Sequence, residues 1–167
     1  MKKNTITILL ILFALGGGCS LENPTKLKIG DPAPDFLLED LAGGKIQLAA
    51  LQNQPVVIRF FITDCKFCKA DTSVFNDYYN HHKDQGLMIL YITTTTDQAQ
   101  VRKFATDLNI PFPVAIDYGR KVSKLFNVKV EPQTIILNSS HLIKGAILGG
   151  VTEPELDEIL GGEWLGK

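Results

Sequence analysis

Cysteine is scarce in this chain: Cys19, Cys65 and Cys68 are the only three among 167 residues. So few sulfurs exclude a disulfide-stapled scaffold, and stability must come from a packed core, which this length supports as one domain. An excess of either charge is also missing. Seventeen basic residues stand against eighteen acidic ones, so there is no broad basic patch and no nucleic-acid partner is expected. Histidine is limited to His81, His82 and His141. A zinc site on Cys65 and Cys68 that used His81 would need a second histidine three to five residues further on, and His82 is the only neighbour. Neither repeats nor low-complexity tracts occur. The apolar stretch from Ile6 to Leu15 is too short to cross a bilayer as a helix.

What the chain does contain is organised around Asp64-Cys65-Lys66-Phe67-Cys68-Lys69-Ala70-Asp71. Two cysteines with two residues between them follow an apolar run, Val56-Val57-Ile58-Arg59-Phe60-Phe61, which reads as a strand buried on both faces. The segment after them, to about Lys83, has the pattern of an amphipathic helix. Strand, motif and helix in that order place Cys65 at the first turn, where free N–H groups and the helix dipole favour an anion. A thiolate is such an anion, so Cys65 is expected to have a lowered pKa and to be the attacking sulfur. Cys68, one turn on, is placed to attack a mixed disulfide. The chemistry expected is dithiol–disulfide exchange, with a Cys65–Cys68 disulfide as the redox group and no separate cofactor or metal.

The rest of the chain falls into place around that motif. Lys2 and Lys3, the apolar stretch and Gly16-Gly17-Gly18 before Cys19 look like a bacterial lipoprotein signal over residues 1–18, with a lipid on Cys19. Leu15 stands one place further from the cysteine than is usual. Residues 19–29 read as a tether; its ten residues from Ser20 reach at most about 35 Å, holding residues 30–167 near a membrane. Phe36 to Leu38 and Lys45 to Leu48 form an expected hairpin. Strands follow at Leu87 to Thr93, Phe112 to Ile116, Val130 to Leu137 and Leu142 to Leu148. Helices are expected at Asp97 to Leu108, Arg120 to Phe126 and Pro154 to Leu160. Asn138-Ser139-Ser140 reads as a turn.

This order, βαβαβαββα after an N-terminal hairpin, implies an α/β thioredoxin-like fold with a central mixed sheet flanked by helices. From about Gly30 to Leu160 the chain resembles the TlpA/ResA-like membrane-tethered thioredoxin-fold oxidoreductases, which are related to the AhpC/TSA redoxins. The resemblance rests on Gly30-Asp31-Pro32-Ala33-Pro34-Asp35-Phe36, on Phe60 through Cys68, and on Phe126-Asn127-Val128 through Pro132-Gln133-Thr134-Ile135. It implies that Pro132 is a cis-proline facing the cysteines and leaving main-chain groups free to pair with a substrate. It also implies that Asp71 occupies the place of a glutamate that exchanges protons with the buried thiol, one methylene shorter here. The implied function is extracytoplasmic thiol–disulfide exchange, more often reduction, on the cysteine pair of an exported protein. The implied partners are that substrate, a membrane thiol protein that donates electrons, and the membrane itself.

Departures from the family pattern are specific. Asp64 stands where a tryptophan is usual, Phe67 where proline is common, and Arg59 where thioredoxins bury an aspartate. Asp64 and Arg59 are therefore candidates for pKa tuning. A buried guanidinium must be paired or reach water, so an Arg59–Asp71 ion pair under Cys68 is expected. Two alternatives share the fold. A peroxiredoxin-like thiol peroxidase places a threonine three residues before its cysteine, where this chain has Ile62, and a proline where it has Ile58. A Cu(I) metallochaperone usually has three residues between its cysteines and a histidine near the cis-proline, whereas His141 falls in a hairpin turn.

Overall fold

The computed structural model describes residues 27–164; the signal segment, Cys19 and the first part of the tether lie outside them. Leu27 packs against one core cluster. A short hairpin follows, β1 (Leu37–Glu39) antiparallel to β2 (Lys45–Gln47). Asp40 shapes its turn: Oδ1 accepts the N–H groups of Ala42 and Gly44 at 2.8 and 2.7 Å. The Leu41 N–H donates to the Val114 carbonyl at 2.9 Å, which hangs the hairpin on the main sheet.

Five further strands make that sheet: β3 (Val56–Phe61), β4 (Met88–Thr93), β5 (Val114–Ile116), β6 (Gln133–Leu137) and β7 (Ile143–Leu148). Their spatial order is β5-β4-β3-β6-β7. β3–β4 and β4–β5 are parallel, whereas β3–β6 and β6–β7 are antiparallel. The helices are α1 (Lys66–His82), α2 (Gln98–Asp107), α3 (Lys121–Leu125) and α4 (Glu153–Trp164). This is the expected mixed sheet with its separate hairpin.

β3 is buried along its whole length, as a strand covered on both faces must be. Val57 and Phe61 pack with Phe75 and Tyr78 of α1, Val101 and Phe104 of α2, and Leu156 and Leu160 of α4. Val56, Ile58 and Phe60 point the other way, towards Phe36, Ile46, Val122 and Phe126. Each such side chain contributes about 1.5–3 kcal/mol of burial. Aromatic packing adds direction: Phe61 stacks on Phe104 with centroids 4.8 Å apart.

Element limits differ from expectation where local chemistry intervenes. β6 starts at Gln133, since Pro132 has no N–H to give a ladder. α1 gives way to a 3₁₀ turn at Lys83–Gln85 and stops at Gly86 in the left-handed region, φ 96°. α4 runs past Leu160 through two glycines to Trp164. Its last turn is pinned by Glu163, which accepts from the Ser139 hydroxyl and from its N–H at 3.2 Å.

Candidate active site

Cys65 is the N-cap of α1, with extended φ/ψ of −82° and 122°. A turn sets it up, its N–H bonding the Ile62 carbonyl at 3.3 Å, and its own carbonyl accepts the Lys69 N–H at 3.2 Å as the first helical bond. Its Sγ accepts the Cys68 N–H at 3.2 Å. That N–H is one of the donors a helix start leaves unpaired, and here it is aimed at sulfur. Both cysteines are free thiols; Cys65 is half-buried and Cys68 is 1% exposed. Burial pushes the Cys68 thiol up to about 12, and Cys65 adds to the rise, while the Ile62 backbone and the Arg59 charge pull the other way.

One turn below Cys68, Asp71 meets Arg59, and the expected ion pair is formed. Arg59 Nη2 donates to Asp71 Oδ2, which also accepts the Val151 N–H at 3.1 Å. Arg59 Nη1 donates to Thr134 Oγ1 and to the Gly149 carbonyl, both at 2.8 Å. The guanidinium carbon lies 5.2 Å from the centre of the Phe75 ring. Arg59 thus ties β3, β6 and the β7–α4 connection to the underside of α1. The connection can present the Gly149 carbonyl because Gly149 takes φ +95°. Burial still outweighs the partners of Asp71: its carboxyl sits above the ordinary value, with Arg59 and the Val151 N–H holding it back. Arg59 Nε and Asp71 Oδ1 are buried with no protein partner among the described residues. Beside the pair, Thr72 Oγ1 donates to the Cys68 carbonyl at 2.5 Å and lies 3.4 Å from the Tyr91 hydroxyl. Burial raises that phenol strongly.

The Glu131–Pro132 bond is cis. Phe60 pairs with Gln133, so residues 131 and 132 run alongside Phe61 and Ile62, just before the cysteines. Exposed Ile62, Phe67 and Val130 make an apolar rim at this end of the molecule. Asp64 is exposed at the same end and accepts from Gln100 Nε2 at 3.1 Å. His141 belongs to the β6–β7 turn at the opposite end, roughly 17 Å along the strands, and its Nε2 is 2.9 Å from the Leu51 carbonyl.

Thr134, Gly149 and Val151 complete the Arg59–Asp71 site, and none was singled out by the sequence. Glu131 and Thr94 were missed too: Thr94 Oγ1 donates to Glu131 Oε1 and Oε2 at 3.3 and 3.2 Å. A run of four threonines, Thr93 to Thr96, at the end of an apolar strand was the available signal.

The family model described as the AhpC/TSA family matches residues 29–146. The thiol-disulfide oxidoreductase ResA of Geobacillus kaustophilus is 31% identical over 92% of this chain and 90% of its own length. Among solved structures, the thiol:disulfide interchange protein, thioredoxin family, of Chlorobium tepidum TLS has a TM-score of 0.73 at 18% identity. It covers 81% of this chain and 97% of its own. StoA of Bacillus subtilis has a TM-score of 0.66 at 21% identity, over 75% and 96% of the two chains.

Proposed function

Because the chain belongs to the AhpC/TSA family and within it to the ResA-like thiol-disulfide oxidoreductases, we propose that Cys65 and Cys68 reduce disulfides of exported proteins. The observation that carries this reading is the contrast between the two sulfurs. One caps a helix at the surface with an N–H aimed at it; the other is buried beneath with its thiol pushed up to about 12.

In the first step the Cys65 thiolate attacks one sulfur of the substrate disulfide. That S–S bond breaks, and the leaving sulfur departs as a thiolate and takes a proton. Cys68 then gives up its proton, and its sulfur attacks Cys65 in the mixed disulfide and releases the second substrate thiol. Two electrons and two protons pass to the substrate, and the pair is left as a Cys65–Cys68 disulfide. Asp71 is the carboxylate under Cys68, and we assign its Oδ1 as the acceptor of the Cys68 proton. We assign Pro132 and the main chain before it to substrate contact beside the cysteines. Asp64, exposed beside Cys65, and Arg59 set the local field.

The reductive direction is taken from the resemblance to the ResA-like oxidoreductases, in which reduction is the commoner task. It calls for a potential nearer that of thioredoxin, about −270 mV, than the oxidising end of the fold, about −120 mV. The disulfide formed in each cycle must be reduced by a thiol protein, which an extracytoplasmic site requires to come from the membrane. We assign residues 1–18 as the export signal and Cys19 as the lipid-bearing residue; a Cys19→Ser chain should leave the membrane fraction.

The test is trapping. Cys68→Ala in cells should accumulate mixed disulfides through Cys65 with exported proteins that carry cysteine pairs, and the purified wild type should reduce insulin with dithiothreitol. Cys65-dependent hydrogen peroxide turnover faster than insulin reduction would move the protein to the peroxidase class instead.

A further inference from the structure

β4 and β6 flank β3 on opposite sides, and their registers put Thr94 and Glu131 on either side of Ile62, just beyond the last paired residues of the sheet. Phe61 pairs with Thr93 of β4, and Phe60 with Gln133 of β6. The Thr94–Glu131 hydrogen bond therefore crosses the end of the strand that delivers Cys65. The Glu131 side chain is 7% exposed, and a second anchor, Arg120 Nη2, lies 3.7 Å from Oε1. Arg120 itself takes a left-handed conformation, φ 56°, uncommon for a side chain of its size.

Glu131 costs something to keep there. Burial raises its carboxyl above the ordinary value, and Asp117 adds to the rise, while Arg120 and Thr94 draw it back. The main chain beside it is unusually free: among the described residues, neither Val130 nor Glu131 uses a peptide group in a backbone hydrogen bond. Those residues lie at the same end of the sheet as Cys65, with the side chains of Val130 and Ile62 exposed there. An extended substrate segment adding to such groups gains main-chain hydrogen bonds, provided they are already oriented.

We propose that Glu131 is a positioning residue for exchange with protein substrates. Held by Thr94 and Arg120, it fixes the free peptide groups of residues 130 and 131 relative to Cys65. This role rests on the exchange reaction proposed above and predicts a division by substrate. A protein disulfide, which brings a peptide backbone, uses the clamp; hydroxyethyl disulfide, which has none, does not.

The experiment removes the clamp from its far side. Thr94→Val keeps the shape and loses the hydroxyl donor, whereas Thr94→Ser restores it. With insulin, Thr94→Val should raise KM about tenfold, the scale of one lost hydrogen bond to a charged group, and leave kcat within about twofold. Turnover of hydroxyethyl disulfide and the rate of Cys65 alkylation should not change, and Thr94→Ser should return KM to within about twofold of wild type. An unchanged KM for insulin in Thr94→Val, an equal loss with hydroxyethyl disulfide, or no rescue by serine would each overturn the positioning role while the exchange reaction stands. A wild-type chain that turns over neither disulfide would sink the exchange reaction and this role with it.

Discussion

The two faces of β3 come from one strand with one degree of burial, yet they are built differently. Towards the hairpin and α3, Val56, Ile58 and Phe60 join an apolar cluster, with Phe36 and Phe60 each packed on Phe126 at about 6 Å between ring centroids. Towards α1, Val57 and Phe61 enclose Arg59, a full positive charge with no exposure. Stability does not explain that choice, because replacing a buried ion pair with well-packed apolar side chains is often neutral or stabilising. The charge is buried on the face where Cys68 sits, and it lowers the cost of the Cys68 anion that the resolving step needs. Both faces carry apolar packing, but only the one towards α1 also carries an electrostatic cost next to the chemistry.

The largest contrast expected from this division is between the two sulfurs above the polar face. A thiol near 12 is almost wholly protonated at neutral pH, so iodoacetamide should label Cys65 at least about a hundred times faster than Cys68. Peptide mapping after brief labelling of the reduced protein reads this directly, and preferential labelling of Cys68 would reverse the assignment of attacking and resolving sulfurs.

Substitutions on the two faces come next. Arg59→Leu leaves Asp71 buried without its counter-charge and should cost about 3–5 kcal/mol in urea unfolding, whereas Arg59→Leu with Asp71→Leu should recover much of that. Ile58→Val, one residue away and facing the apolar layer, should cost only about 0.5–1.5 kcal/mol and leave the labelling of both cysteines as it was. If the double variant is as unstable as Arg59→Leu alone, the pair is not the reason for the loss.

Periodicity and spacing in the sequence carry much of this arrangement. Alternation along β3 assigns Val57 and Arg59 to one face and Ile58 and Phe60 to the other, and the thioredoxin-like template then brings Asp71 under Arg59. The partners that complete the site were not visible, for a physical reason. Thr134, Gly149 and Val151 reach Arg59 and Asp71 from 75 to 90 residues away, and their roles depend on strand register and on main-chain groups that every residue carries. The Thr94–Glu131 bond likewise spans two strands that meet only through β3. Composition was misleading at Gly161 and Gly162, where glycine propensity predicts a helix stop and a tertiary contact from Glu163 to Ser139 overrides it.

The smallest effect expected is a pH dependence confined to the polar face. Burial raises the Asp71 carboxyl above its ordinary value even with Arg59 beside it, so the folded chain binds this proton more readily than the unfolded chain does. The stability linked to that proton is fully present below the ordinary carboxylate value and is lost as pH rises through the folded-state value. Asp71→Asn cannot titrate there. Urea midpoints for wild type and Asp71→Asn, followed from pH 7 down to about pH 4, should therefore move in favour of wild type as the pH falls. The gap between wild type and Ile58→Val should stay flat over the same range, because no titrating group is altered on that face. A larger swing is expected between Arg59→Leu and Arg59→Leu with Asp71→Asn, since the counter-charge that holds the carboxyl down is gone. A gap that moves against wild type on acidification would mean that the guanidinium outweighs burial. The carboxyl of Asp71 would then lie below its ordinary value, and the pair would stabilise the fold instead of burdening it.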